Sequence, residues 1–88
     1  MYKGFLHALQ HDEQDLVLTF APYGPDGTGG PIKGRPFHGR QELAAFLKDQ
    51  IGADDHARED FLDQIALTHH GTMPEVWLTA EQRIELGL

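Results

Sequence analysis

The chain has 88 residues, 40% of them hydrophobic and 9% aromatic, with 14 acids against 7 bases and a formal charge of −7. A chain of this length supports one core and buries about 60–65% of its unfolded surface, so residues 1–88 are expected to form a single domain that self-association would help to stabilise. The chain has neither cysteine nor serine, which excludes disulfides, thiol catalysis and a Ser-His-Asp nucleophile, and its acid excess disfavours generic nucleic-acid binding.

The first segment, Met1 to Leu9, sets Tyr2, Gly4, Leu6 and Ala8 against Lys3, Phe5, His7 and Leu9. This period of two predicts a strand with both faces partly covered, with a helix as the competing reading. His7, Gln10, His11, Asp12 and Glu13 break the apolar stretch. No signal peptide is expected there, no run approaches the roughly 20 residues of a membrane helix, and the missing cysteines suit the cytoplasm.

Gln14 to Tyr23 alternates again, with Leu16, Leu18 and Phe20 on one side and Val17, Thr19 and Ala21 on the other, and predicts the second arm of a hairpin turning at His11–Glu13. Residues 23–34 are rich in Gly and Pro and predict a loop, with turn chemistry at Pro25, Asp26 and Gly27. Ile32 to Phe37 predicts a short edge strand, weakened by Gly34 and Pro36.

Leu43, Ala44, Phe46, Leu47 and Ile51 form a helical stripe over Arg40–Ile51, with Gly52 expected as its C-cap. A second helix is expected from Asp54 or Asp55, carrying Ala57, Phe61 and Ile65 inward, ending at Gly71 with His69 and His70 in its last turn. Pro74 to Leu78 predicts a last short strand, and Thr79-Ala80-Glu81-Gln82 matches a capping box before a short helix, Ala80 to Leu86. The order β-β-(β)-α-α-β-α predicts an α+β domain: an antiparallel or mixed sheet of three to four strands, two main helices on one face and a short C-terminal helix.

Six histidines invite a metal or acid–base reading. His7 and His11 have the spacing of paired zinc ligands only if helical, and on a strand and turn they diverge, so no metal ligand is assigned. His69 and His70 suit the negative end of a helix dipole, although one of them could join His38 across the fold. The glycine-rich loop has Ile32 where a dinucleotide fingerprint needs its third glycine, and it lacks a Walker triplet.

The charge is uneven, −3 over residues 1–30, +3 over 31–40 and −7 over 41–88. Lys33, Arg35, His38 and Arg40 therefore make a basic approach to the first helix that could hold a carboxylate or phosphate, against the simpler reading that they pair with acids of the same chain. Asp54, Asp55, Glu59, Asp60 and Asp63 form a carboxylate ridge, expected as a solvated face or a dock for a basic partner. Trp77 and Tyr2 are the candidate aromatic anchors of an interface, although core is the commoner fate of such residues; Val76 and Leu78 must face opposite to Trp77 on a strand.

The stretch Gly34 to Leu47, a strand ending in Phe37-His38-Gly39 before a helix, resembles a phrase of the cone-shaped SnoaL and nuclear-transport-factor-like families. Those families continue with a long curved sheet where a second helix follows here, so the resemblance carries over no residues. The sequence points first to a non-enzymatic protein-interaction or regulatory module, an adaptor, inhibitor or homo-oligomer, without catalytic residues or cofactor. The alternative is a small-molecule, anion or metal-binding protein using His38, His69, His70 and the run from Lys33 to Arg40. A protein-binding role predicts an exposed apolar patch or sheet edge near Trp77 or Tyr2.

Overall fold

Alternating apolar residues draw Tyr2–Gln10 (β1) and Asp15–Pro22 (β2) into an antiparallel hairpin in a computed structural model that describes residues 2–23 and 34–88. At its turn, Asp12 Oδ1 accepts the N–H groups of Gln14 and Asp15 at 2.8 and 2.9 Å, which holds the carboxyl below its ordinary pKa. Gly34–His38 (β3) pairs antiparallel with β2, and His70–Leu78 (β4) pairs antiparallel with β1. The sheet order is β3-β2-β1-β4, so the hairpin is central and β3 and β4 are edges. The Pro25-Asp26-Gly27 turn, the strand start at Ile32, and Lys33 lie outside the described residues.

Leu6, Ala8, Leu16, Leu18, Phe20 and Phe37 line one face of the sheet, joined from β4 by Met73, Val76 and Leu78. Arg40–Gln50 (α1) covers it with Leu43, Phe46 and Leu47, and Asp55–Thr68 (α2) with Phe61 and Ile65. Asp54 caps α2 by accepting the Ala57 N–H at 2.7 Å. Ala80–Leu86 (α3) starts in the expected capping box, in which Thr79 and Gln82 exchange side-chain and backbone bonds at 3.0 and 2.8 Å. It seals the end of the core with Leu86 and Leu88, and Arg83 stacks over Tyr2 and Phe20. The α+β class, the element order and a single helical layer are as expected.

Three local expectations need correction. The first helix ends in an extended Ile51, and Gly52 takes no left-handed conformation there. The second helix ends at Thr68 with His69 as its left-handed cap at φ 63°, its N–H donating to Ile65 O at 2.8 Å. His70 and Gly71 therefore belong to β4, which is much longer than the expected Pro74–Leu78.

Gly71 lies where strand and helix approach most closely: a Cβ there would sit 2.9 Å from Ile65 Cγ1 and 3.0 Å from Phe61. Gly71→Ala is therefore expected to cost about 1–3 kcal/mol by overpacking, whereas Gly52→Ala, with nothing within 4 Å of its new methyl, stays near neutral. Urea titrations of the two variants measure the difference. Because His69 carries the strain of a left-handed cap, His69→Gly is expected to raise stability by about 1 kcal/mol in the same assay. A loss would mean that the exposed imidazole matters more than the cap.

Candidate functional site: an open sheet face

The helices cover one face of the sheet; the other carries Lys3, Phe5, His7 and Leu9 of β1, Val17, Thr19 and Ala21 of β2, and His70, Thr72 and Trp77 of β4. An antiparallel sheet with one face in water normally alternates apolar with polar residues, and this one instead places apolar side chains on both sides. Trp77 is 55% exposed, Leu9 46% and Tyr23 40%. Phe5 lies between them, half-buried, with its ring edge-on to those of His7 and Tyr23, each at 4.8 Å.

Trp77 reaches this face through a β-bulge. Gly4 pairs with Val76 but Leu6 pairs with Met73, so β4 has one residue more than β1 over this interval. Glu75 takes up the excess in a left-handed conformation, φ 59°. Without the extra residue, the alternation set by Met73 would turn residue 77 toward the core. The sequence favoured core for Trp77; the bulge overturns that. Lys3 Nζ stands 5.5 Å above the Trp77 ring and 3.6 Å from Glu75 Oε1, a cation shared between ring and carboxylate.

At the middle of the face His7 Nδ1 lies 3.2 Å from Thr72 Oγ1, and its ring is 6.2 Å from that of His70. Burial lowers the His7 pKa, and the neighbouring His70 charge lowers it further.

Both edges of the sheet are blunted. On β4 the Gln64 amide reaches across from α2, its Oε1 accepting the Thr72 N–H at 3.1 Å and its Nε2 donating to Thr72 O at 3.5 Å. On β3, Pro36 has no N–H to offer. Strand addition is obstructed at both sides, and the accessible feature is the face.

The residues singled out from sequence divide. Trp77 lies on the open face. Tyr2 does not: it is paired with Leu78 while Lys3 is paired with Trp77, so Tyr2 faces the helices, under Arg83. Arg35 also points inward, where its guanidinium lies 4.5 Å from the Phe46 ring and donates to Leu86 O at 2.9 Å. It pins the end of α3 and lines a cleft of about 380 Å³ with Asp49, Gln50 and Glu85, whose two carboxylates oppose an anion. His38 is exposed 3.9 Å from Asp15, and Glu42 Oε2 accepts its backbone N–H at 3.1 Å, so a carboxylate already occupies the approach to α1. Arg40 is exposed on the first turn. Among the described residues of the basic run, Arg35, His38 and Arg40 thus do not converge on one point.

His38 and His70 lie on opposite edges of the sheet, three strand spacings or about 14 Å apart. The approach of His38 to His69 or His70 that the alternative reading would require is not made, because the sheet order separates them. Among the described residues no three His, Asp or Glu side chains gather as a metal cluster. On the acidic ridge, Asp55 is paired with Arg58, and His56 lies 3.8 Å from Asp60. Leu9, Phe5 and Tyr23 were the residues sequence reading missed as a surface. Their signal was the apolar content of the second face of β1 and β2.

No protein-family model, curated protein or solved structure matches the chain. What it does has to be read from the face itself.

The lowered His7 pKa sets a sign for acid stability. The unfolded chain takes up its proton at an ordinary histidine pKa of about 6.5, before the folded one does, so stability is unaffected well above that pH and falls as pH drops through it. Replacing His7 with Asn, which retains a partner for Thr72, is expected to flatten this fall. Urea midpoints collected from pH 8 to about pH 5 for both proteins test it; identical slopes would remove His7 as the cause.

Proposed function

We propose that this chain is a non-enzymatic protein-interaction module that docks a protein partner on the outer face of its sheet. The observation that carries the reading is the exposure of Trp77, Leu9 and Tyr23 beside half-buried Phe5 on a face that no helix covers among the described residues. A flat surface combining a tryptophan, aliphatic side chains and a few polar groups is what the centre of a protein interface requires. Tryptophan on such a surface supplies the largest desolvated area for the least conformational entropy.

Several further observations support it. No helix of the described residues is long and apolar enough to cross a membrane. The acids lie mostly on the helices, so a nucleic acid or an anionic lipid surface gains nothing by approaching them. The missing cysteines suit a partner met in the cytoplasm. Among the described residues, the competing reading, a ligand or metal held by His38, His69, His70 and the basic run, finds no common centre to act from.

The test is capture of partners from the native host by tagged protein, in three forms. Wild type and the control Leu67→Glu/Ile84→Glu, altered at exposed apolar residues of α2 and α3, are expected to retain the same partner. Leu9→Glu/Trp77→Glu is expected to lose it by at least tenfold, since each substitution replaces an exposed apolar side chain of the docking face with a charge that docking would have to desolvate. Equal capture by all three would remove the sheet face from the function.

A further inference from the structure

Resting on that docking reading, we infer that the occupant of the outer sheet face is a second copy of this chain, packed sheet against sheet about a two-fold axis. The first argument is charge. The chain carries −7, yet among the described residues the full charges on this face are Lys3 and Glu75, paired at one corner, and Asp15 beside His38 at the opposite rim. Two such faces meet without like-charge repulsion at their centre. In the resulting helix-sheet-sheet-helix stack, with layers about 10 Å apart, the acidic helical layers of the two copies lie about 30 Å from each other, well beyond the ~8 Å screening length. A basic partner would be drawn to those helices instead, away from this neutral surface.

The second argument is shape and area. Four strands at ~4.8 Å spacing and about eight residues at ~3.3 Å rise project some 500 Å² per copy. Two copies thus cover about 1,000 Å² before side-chain relief is added, the lower bound for a specific interface. Sheet faces of this kind pack aligned at about −30°, with side chains of one interleaving those of the other. Gln64 and Pro36 obstruct the alternative of joining copies edge to edge. A second copy supplies a half-apolar plane of equal extent whose centre carries no full charge.

Trp77 is the only tryptophan, so the wild-type protein reports on its own interface. Sedimentation equilibrium from about 10 to 500 μM, the range in which interfaces of this size associate, is combined with iodide quenching of Trp77 on the same samples. The expected result is a mass rising toward twice 9.9 kDa while quenching of Trp77 falls at least twofold over the same concentrations. Leu9→Glu/Trp77→Glu should remain monomeric with an unchanged far-ultraviolet spectrum, and Leu67→Glu/Ile84→Glu should dimerise like wild type.

A dimer in which Trp77 stays equally open to iodide, or one that survives Leu9→Glu/Trp77→Glu, overturns the inference. So does a wild type that is monomeric throughout. In that last case, capture of a host protein that Leu9→Glu/Trp77→Glu abolishes keeps the docking face with a foreign occupant, while capture that is unaffected removes the face altogether.

Discussion

The return of β4 along β1, with one surplus residue at the bulge, is the constraint on which the rest of the molecule depends. β1 sits between β2 and β4, and only β4 brings the second half of the chain back to it. Before the bulge, Gly71 and Met73 face the helices; after it, Val76 and Leu78 do. An uninterrupted strand could not satisfy both sets, because side chains alternate strictly and a shift of one residue turns every later one over. The bulge resolves this conflict at Glu75, next to Pro74, which an edge strand tolerates because no second neighbour needs the N–H that proline lacks. Trp77 is turned outward as a by-product of burying its two neighbours.

That single event also explains where reading from sequence stops. Elements whose signals are local were legible: the two alternating arms of the hairpin, the Asp54 cap, the capping box at Thr79 and Gln82, and the edge position implied by Pro36. Features set by distant partners were not. Gly71 follows a helix as a cap glycine would, yet what selects glycine there is the nearness of Ile65 and Phe61. The charge of Arg35 reads as a surface anion site, but its partners are Phe46 and a carbonyl 51 residues away at Leu86. The outward position of Trp77 depended on counting residues across a bulge that only pairing with β1 reveals.

The candidate face was half legible for a similar reason. Alternation over Phe5, His7 and Leu9 and over Val17, Thr19 and Ala21 marked these strands as covered on both sides, but period alone does not say by what. In a parallel sheet a second helical layer would supply the cover. Here the element order provides three helices, and all of them are spent on the face that carries Leu6, Leu18 and Phe20.

The distribution of charge follows from that one-sided cover. Helices exposed on their outer side can bear acids at little cost, and α2 does so with Asp55, Glu59, Asp60 and Asp63. A sheet face left permanently in water could bear them equally well, because charged residues at alternate positions keep strands soluble and discourage sticking. On β1, β2 and β4 those positions hold Phe5, Leu9, Val17 and Trp77, with Lys3 neutralised by Glu75. Surface apolar residues scattered singly need no explanation, whereas a contiguous set across three neighbouring strands does. The blunted edges sharpen the point: Gln64 and Pro36 obstruct open-ended strand addition while no helix among the described residues covers the face. Such a surface, obstructed at its rims and carrying Phe5, Leu9, Val17 and Trp77 around the polar pair His7 and Thr72, is the one on which the proposed association rests.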